Sequence, residues 1–483
     1  MRLNLRQVFF LILILGLFLM TLRPIADPDF WWHLRTGQLI VQTHTIPHFD
    51  PFSFTNNGKP WVAHEWLSEV FMYSLYRIGG YGLLIFVFSI VICGAFILAS
   101  LRSPQESKPY IAGFTLFLGA LATAPTWGVR PQMISLLLTS LFLFVLDRFR
   151  NTGKFIYIFP LPIITLVWVN LHAGYFLGLA IISIYIAGDL FDLIKNELQK
   201  TEGSAISNLK SPLILSAVLG VSVLTAIANP NGFNILLYPF QTLNSPAMQQ
   251  FIQEWFSPDF HLLEWQPLAL FFLALIGLGM LSRKSISPTK ILLTLCFGYA
   301  ALRSMRNVPL FAVVAIPILA EQVGSLVKIR PEIKTPSRLL KWMIPIMLFC
   351  IVSVIGFRFV QVTQGQSLSE AENFPKAAVD WIEKNQPKGN LFNSYGWGGY
   401  LIWRLYPQYP VYIDGRADVY GDKFIFTYLD VYRAQTEWEQ VLDAQFVQLV
   451  LVESESGLAS ALRQSGDWVI SYEDQISIIF ERK

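Results

Sequence analysis

The sequence predicts a polytopic α-helical membrane protein that ends in a small α/β domain. Of its 483 residues, 53% are apolar and 14% are charged, and the mean hydropathy is +0.47. In an ordinary soluble chain about a quarter of the residues are charged. About eleven apolar runs approach the roughly 20 residues that cross ~30 Å of hydrocarbon. The runs cover residues 8–22, 81–101, 110–125, 132–147, 155–169, 175–194, 211–228, 267–282, 289–303, 308–325 and 341–357.

The basic residues predict the orientation of these spans. With the N-terminus inside, about eighteen Lys and Arg residues fall in inner segments and about seven in outer loops before residue 358, in agreement with the positive-inside rule. The odd number of spans then divides the chain into a membrane domain, 1–357, and an extracytoplasmic domain, 358–483. No small-residue cleavage site follows the first run, so we expect it to be retained as a span.

A long polar and aromatic loop, residues 24–80, follows the first span. Irregular segments of this length cannot rest in lipid and are usually functional. Asp27 and Asp29 would lie near the outer interface, where a carboxylate needs water, a cation or a hydrogen-bonding partner. If the segment from Asp29 is helical, Asp29 and His33 project to the same side. A helix cap with interfacial hydrogen bonds is the alternative explanation for these residues.

Further polar residues lie in this loop and in later outer segments. His64 and Glu65 begin an amphipathic stretch that would also suit simple packing on the membrane surface. His172 lies in NLHAG, where a hydrogen-bonded loop histidine is the alternative interpretation. Glu254 lies in the longest later outer loop and either adds a carboxylate to a site or is solvated. Arg130, in GVRP, is a candidate for contact with phosphate.

Arg303 and Arg306 lie three residues apart at the outer end of an otherwise uncharged span. Residues with this spacing share one side of a helix, so both guanidinium groups can meet one phosphate. Snorkelling of arginine to the membrane interface is the alternative. We favour phosphate binding, because positive charge on the outer side runs against the charge bias of the other loops.

Residues 358–483 alternate between short apolar runs and helical patterns. A helix is predicted over 373–389, with Asn373 at its cap and Pro375 in its first turn. Strands are predicted in NLFNSY, PVYIDGR, FVQLVLVE and WVISYEDQISIIFE, and helices in TEWEQVLDAQ and LASALRQSG. Trp397, in YGWGGYLIW, and Asp414 and Arg416, in IDGR, either shape the backbone locally or contact a substrate.

The motif DPDFWWHLR, followed by IPHFDPFSF, resembles the first outer loop of oligosaccharyltransferase catalytic subunits, especially archaeal ones. These subunits belong to the GT-C superfamily of membrane glycosyltransferases. The stretch YGWGGYLIW is similar in placement to their WWDYG region, but it has no aspartate beside Trp397. The resemblance therefore predicts a GT-C-like architecture, while recognition of an Asn-x-Ser/Thr acceptor does not follow from it.

The resemblance implies transfer of a sugar from a polyprenyl phosphate or diphosphate at the outer face, with inversion of the anomeric carbon. It implies that Asp27 or Asp29 holds a divalent cation or acts as base. Mg²⁺ favours carboxylate oxygens, and Mn²⁺ also tolerates histidine. The expected metal ligands are Asp29, His33 and Glu254, and the expected phosphate ligands are Arg303, Arg306 and Arg130.

The acceptor would be a glycan, a lipid or a protein, and no nucleic-acid partner is expected. The protein would be an integral protein of a prokaryotic cell membrane, in contact with membrane lipid. The resemblance implies that an acceptor meets polar and aromatic residues on the outer side. The expected contacts are His64, Glu65, His172, Trp397, Asp414 and Arg416.

Two other classes of function remain open at this point. A lipid or solute transporter suits the number of spans, but transporters usually place ionisable groups near the membrane midplane and often contain internal repeats. The spans here have few interior charges, and no repeat is evident. A non-catalytic membrane scaffold that carries an exported binding domain is the second alternative.

Overall fold

The computed structural model describes residues 5–103, 109–198, 205–282, 285–327, 338–435 and 437–483. The chain divides into two compact units. The helical unit comprises Met1–Arg23, Phe86–Leu236 and Gln253–Gln361, and the mixed unit comprises Pro24–Ile85, Leu237–Ile252 and Val362–Lys483. Of the basic residues counted above in the inner segments, the following lie outside the described residues: Arg2, Lys108, Lys200, Arg283, Lys284, Lys328, Arg330 and Lys334.

Most of the described chain is helical, and one small sheet lies near the C-terminus. The helices are α1 (Leu5–Thr21), α2 (Phe30–Thr43), α3 (Trp66–Leu101), α4 (Pro109–Thr123), α5 (Pro131–Thr152), α6 (Leu161–Leu171), α7 (Tyr175–Leu198), α8 (Ala205–Ala226), α9 (Asn234–Leu243), α10 (Pro246–Phe251), α11 (Gln266–Leu281), α12 (Pro288–Arg303), α13 (Val308–Leu326), α14 (Arg338–Gln364), α15 (Gln366–Asn373), α16 (Lys376–Asn385), α17 (Gly398–Leu405), α18 (Ala417–Tyr432), α19 (Trp438–Ala444) and α20 (Gly457–Gln464). The strands are β1 (Asn390–Asn393), β2 (Val447–Glu453), β3 (Trp468–Glu473) and β4 (Ser477–Arg482).

The apolar runs are helical, which confirms the predicted class of polytopic α-helical membrane protein. The exact number of spans, eleven, stays a prediction. Shorter apolar helices cover Leu5–Thr21, Phe155–Leu171 and Lys210–Ala226. In the described parts of the chain, six helices are long and apolar enough to cross a membrane: Trp66–Leu101, Pro131–Thr152, Tyr175–Leu198, Leu263–Leu281, Met305–Leu326 and Trp342–Gln364.

Two of these helices illustrate how the helical unit buries and exposes apolar surface. In α13, every residue from Val308 to Ala320 is buried, so the helix forms the core of the unit. In α14, none of the most apolar stretch within Trp342–Gln364 is buried, and Phe349 and Phe357 are each 73% exposed. An apolar surface of this size is expected to face lipid rather than water.

The long helix α3 is kinked at Gly79 and Gly80. Gly80 has φ +59°, a left-handed conformation that glycine adopts readily. The kink separates an N-terminal part, which contains Glu69, from a strongly apolar C-terminal part that enters the helical unit at Phe86. The first part thereby remains with α2 in the mixed unit.

The sheet of the mixed unit has the strand order β1-β2-β4-β3. The β1–β2 pair is parallel, while β2–β4 and β3–β4 are antiparallel. Three of the predicted strand segments are confirmed, although WVISYEDQISIIFE forms the hairpin β3–β4. The two predicted helices TEWEQVLDAQ and LASALRQSG are confirmed as α19 and α20.

The helix predicted over 373–389 is confirmed as α16, but it begins later than predicted, with Pro375 rather than Asn373 at its N-cap. Asn373 ends α15, and Phe374 is extended before Pro375, the conformation that a following proline favours. One local prediction for the C-terminal segment is wrong. The strand predicted in PVYIDGR forms only isolated bridges at Val411. The Asn393 side chain bonds the Tyr412 amide and the Ile413 carbonyl, groups that a neighbouring strand would otherwise use.

The first loop is built into the same unit as the C-terminal segment. Val411 pairs with Ser53 as well as with Leu391, and its amide donates to Phe52. Phe374 and Tyr400 stack on each other, and Trp31 of α2 meets both rings edge-on, with ring centroids 5.5 and 5.1 Å away. Apart from the pairing of Val411 with Leu391, these contacts join residues that are more than 300 positions apart in the sequence. The division into 1–357 and 358–483 stays a prediction, and the mixed unit combines parts of both.

Candidate functional site

A cluster of ionisable side chains, here called the polar centre, lies in the mixed unit. Its members come from the start of α2, the first loop, the start of α3 and the segment that leads into α18. It contains six acidic residues, two histidines and one arginine, and several of these are fully buried. The members are Asp29, His33, Asp50, His64, Glu65, Glu69, Asp414, Arg416 and Asp418.

The two aspartates that follow the first span have different local roles. Asp27 Oδ1 accepts a hydrogen bond of 2.9 Å from the Asp29 amide, as expected for an acidic residue that organises a helix start. Asp29 is the N-cap residue of α2, but its side chain makes no capping hydrogen bond. Asp29 Oδ1 instead lies 3.0 Å from Trp32 Nε1, which donates to it. Helix capping therefore does not account for the Asp29 carboxylate, which is half-buried.

His33 lies against two glutamates from the start of α3. Its Nδ1 atom is 3.4 Å from Glu65 Oε2 and 3.3 Å from Glu69 Oε1, and at most 5% of any of these side chains is exposed. Gly37 permits this approach of α2 to α3, because a methyl group there would overlap the Glu69 carbonyl and lie 2.9 Å from Tyr73 Cβ. Glu65 and Glu69 are four residues apart and so project to the same side.

The side chains of His33, Glu65 and Glu69 fit a divalent cation. One ligand atom from each lies within 4.8 Å of the others, and Glu69 Oε2 is buried without a hydrogen-bond partner. Burial of carboxylates is costly unless a cation or hydrogen bonds compensate it. Mixed nitrogen and oxygen donors suit Mn²⁺ or Zn²⁺ better than Mg²⁺. His33, Glu65 and Glu69 are here called the metal-type group. Among the described residues, this group contains the predicted ligand His33 but neither Asp29 nor Glu254.

His64 connects the metal-type group to the C-terminal segment. Its Nε2 atom is 3.4 Å from Glu65 Oε1, and its ring lies 4.3 Å from that of Tyr238 in α9. Burial lowers the pKa of His64, but the carboxylates of Glu65 and Asp418 raise it by more, so the net pKa lies above the usual value. These neighbours favour the positively charged imidazolium, which offsets part of the negative charge of the centre.

Asp418, near the start of α18, is the member of the polar centre that is most open to solvent. The surrounding protein nevertheless raises the pKa of its carboxyl, while His64 and Arg416 oppose that rise.

Arg416 is buried among aromatic and acidic side chains. Its Nη1 lies 2.8 Å from Asp50 Oδ1, and its Nη2 lies 2.7 Å from Asp414 Oδ2. The guanidinium carbon lies 4.6 Å from the centre of the Trp61 ring and 5.0 Å from that of Phe52. The role of Asp414 and Arg416 in substrate binding stays a prediction, while these contacts fix the first loop to the C-terminal segment.

The predicted residue Trp397 is buried at the start of α17. Beside it, the Tyr395 hydroxyl donates to the Gly415 carbonyl at 3.2 Å. Burial raises the pKa of Tyr395, and Asp29 and Asp414 raise it further. The hydroxyl therefore stays protonated at neutral pH and remains a donor.

The three arginines predicted to bind phosphate, Arg130, Arg303 and Arg306, lie in the helical unit. Arg130 forms an ion pair with Glu254, and the Arg306 guanidinium lies 4.7 Å from the centre of the Trp255 ring. Burial raises the pKa of Glu254, but Arg130 and Arg306 lower it by more, so the net pKa lies below the usual value. Arg303 is exposed at the end of α12. Together, Arg130, Arg303, Arg306 and Glu254 carry a net positive charge, as an anion site requires.

His172 is buried after α6 and is held by hydrogen bonds. Its Nδ1 accepts from the Ser135 hydroxyl and from the Gly174 amide, each at 2.8 Å. These contacts agree with a histidine that shapes its loop. The contact with an acceptor that the sequence suggested for His172 stays a prediction.

No protein-family model and no curated protein sequence matches the chain. Two groups of solved structures do. The archaeal oligosaccharyltransferase AglB from Archaeoglobus fulgidus, in complex with an inhibitory peptide and a dolichol-phosphate, is 12% identical, with a TM-score of 0.53 over 98% of this chain and 74% of AglB. ArnT from Cupriavidus metallidurans, bound to undecaprenyl phosphate, is 13% identical, with a TM-score of 0.51 over 98% of this chain and 97% of ArnT.

These proteins are membrane glycosyltransferases of the GT-C superfamily, and the chain has their fold, which confirms the fold that its first outer loop predicted. At 12–13% identity the likeness concerns the fold alone. The chemistry of this chain must therefore be argued from its own residues.

Sequence reasoning gave no site role to Glu69, Asp50 or Tyr238, and it placed Asp418 in a turn with Asp414 and Arg416. Glu69 had a usable signal, because it lies four residues after Glu65, which directly precedes α3. Asp50 and Tyr238 had none, because each acquires its neighbours through contacts between distant segments.

Proposed function

We propose that this protein is a membrane glycosyltransferase that moves a sugar from a polyprenyl phosphate or diphosphate to an acceptor at the outer face of a prokaryotic cell membrane. The observation that carries the proposal is the buried group of His33, Glu65 and Glu69, with Asp29 near the same end of α2. Proteins of the same fold have been solved with dolichol-phosphate and with undecaprenyl phosphate.

Asp29 is proposed as the base that accepts the acceptor proton. Its carboxylate is half-buried, does not cap α2, and is oriented by Trp32 Nε1. A positioned carboxylate that takes a proton in the transition state typically accelerates a reaction by about 10²–10⁴-fold. The acceptor oxygen or nitrogen would then attack the anomeric carbon directly, which inverts its configuration as the donor phosphate leaves. Asp27 would orient the Asp29 backbone rather than react.

His33, Glu65 and Glu69 are proposed to hold a divalent cation. When bound, such an ion stabilises the negative charge that develops on a leaving phosphate. The three side chains would supply one nitrogen and two carboxylate oxygens to the ion. His64 pairs with Glu65 and so orients one of the ligands.

Arg306 and Arg303 are proposed to bind the donor phosphate. Arg306 lies on the face of Trp255, which holds its planar group in a defined orientation. Arg130 already pairs with Glu254, so its charge is largely offset. We therefore assign Arg130 and Glu254 to the support of Arg306, and we do not retain Glu254 as a metal ligand.

The test compares Asp29→Asn with Asp27→Asn in purified protein supplied with undecaprenyl-phosphate-linked sugars. Release of undecaprenyl phosphate is measured. Asp29→Asn keeps the hydrogen bond from Trp32 but removes the charge, so turnover should fall about 100-fold or more, whereas Asp27→Asn should lose much less. Exposed Asp467 provides the control Asp467→Asn, which should change nothing. Near-normal turnover by Asp29→Asn would overturn the assignment of the base. Near-normal turnover by both loop variants would mean that the first-loop aspartates are structural, whereas no turnover by the wild-type protein would favour a scaffold.

A further inference from the structure

We infer that residues 414–416 form a positioning element that sets the carboxylate of Asp29, so that Gly415 and Arg416 are positioning residues of the transferase. The inference rests on the proposed function, because it assigns a catalytic role to Asp29. It also assigns a role to the C-terminal segment, which the proposed chemistry otherwise does not use.

Gly415 lies directly against the Asp29 carboxylate. A methyl group at Gly415 would overlap Asp29 Oδ1 and would lie 2.9 Å from its Cγ and 3.3 Å from Trp32 Nε1. Any side chain at this position must therefore displace the carboxylate or the indole that donates to it. Gly415 does not have a positive φ, so close approach rather than backbone conformation requires a glycine here.

The segment around Gly415 cannot move away easily. Arg416 fixes it on one side through its ion pairs with Asp414 and Asp50. Tyr395 fixes it on the other side by its hydrogen bond to the Gly415 carbonyl. Because the arginine and both aspartates are buried, their displacement would leave charges without partners.

The short helix α17 packs closely against both segments, the one that contains Gly415 and the one that contains Asp29. A methyl group at Gly398 would lie 2.5 Å from Asp414 Cα, and one at Gly399 would lie 2.5 Å from the Pro28 carbonyl oxygen. The first turn of α17 therefore packs against the residues just before Gly415 and just before Asp29. Close packing on both sides keeps the distance between Gly415 and Asp29 fixed.

This arrangement matters for a base because proton transfer depends on position. A misplacement of about 1 Å can lower a rate by about 100-fold. The positioning element restricts the Asp29 carboxylate to an orientation in which Oδ1 accepts from Trp32. Gly415 thus contributes to the reaction through Asp29, without contact with the substrate.

The test combines thermal unfolding with turnover for Gly415→Ala. In the wild-type background, Gly415→Ala should lower Tm by several degrees. In an Asp29→Ala background, where the colliding atoms are absent, the same change should lower Tm much less, because residues in contact do not act additively. Turnover of an undecaprenyl-phosphate-linked sugar should fall by about 100-fold, while its KM changes less than about threefold. A methyl group added at Gly396 would meet no neighbouring atom within 4 Å, so Gly396→Ala is the matched control and should change neither quantity.

The outcomes separate this inference from the proposed function. If Asp29→Asn is inactive but Gly415→Ala retains normal turnover, or shows no thermal coupling to Asp29→Ala, the positioning role is overturned and the proposed function stands. If Asp29→Asn is fully active, both are overturned, even where thermal coupling is present. If Gly415→Ala fails to fold, the double variant with Asp29→Ala should recover folding, and its failure to do so would also overturn the inference.

Discussion

Replacement of Arg416 by Met should destabilise the mixed unit strongly. The change keeps a long side chain but leaves the buried carboxylates of Asp50 and Asp414 without their cation. Breaking a buried pair in this way costs about 3–5 kcal/mol, and the lost cation–π contacts with Trp61 and Phe52 add on the order of 1–2 kcal/mol. Since 1 kcal/mol shifts the Tm of a unit of about 200 residues by about 2–4 °C, we expect a fall of at least about 8 °C.

The assay is thermal unfolding of the purified variants in one detergent, followed by circular dichroism. Arg404→Met is the matched control, because Arg404 also contacts two carboxylates, those of Asp380 and Glu383, but these are 56% and 41% exposed. Exposed ion pairs contribute only about 0–1 kcal/mol, so the control should lose no more than about 4 °C. Equal losses in the two variants would refute the argument that burial decides the strength of the Arg416 contacts.

Three further predictions concern the cation, the phosphate and the topology. Glu69→Gln should weaken Mn²⁺ binding by about tenfold or more, measured by calorimetry on the purified protein, and an unchanged affinity would remove the metal assignment. Changing Arg303 or Arg306 to Ala should raise KM for a polyprenyl-linked donor, with only partial rescue by Lys because Lys lacks the planar fork; full activity of the double Ala variant would favour snorkelling. A reporter that is active only outside the membrane should work when fused after Lys483 but not within 148–154, and activity at the second position would overturn the predicted orientation.

The sequence could predict those parts of the structure that depend on local pattern. The apolar runs are long and nearly free of charge, so composition alone identifies them as membrane helices. The segment after Asp29 is helical, the condition under which Asp29 and His33 project to the same side, and three of the predicted strand segments lie in the sheet. In each case the signal lies within one stretch of chain, where neighbouring residues determine the structure.

The partners of individual residues could not be predicted in the same way. The spacing of Asp29 and His33 suggested one shared site, but the residues that pair with His33 in the metal-type group are Glu65 and Glu69 on another helix. Gly37 permits that pairing because it lets α2 approach α3 closely. A glycine carries no sign in the sequence of which segment will approach it, so contacts of this type appear only in three dimensions.

The first loop and the C-terminal segment fold together as parts of the mixed unit. Bringing segments more than 300 residues apart into contact costs loop-closure entropy, although this cost grows only slowly with separation. Burial of Trp31 against Phe374 and Tyr400, together with the Arg416 ion pairs, offsets that cost. The C-terminal segment by itself would expose these aromatic surfaces and would lack Asp29 and His33. The polar centre therefore forms only when both segments are present, so the C-terminal segment is a structural requirement for any chemistry at Asp29.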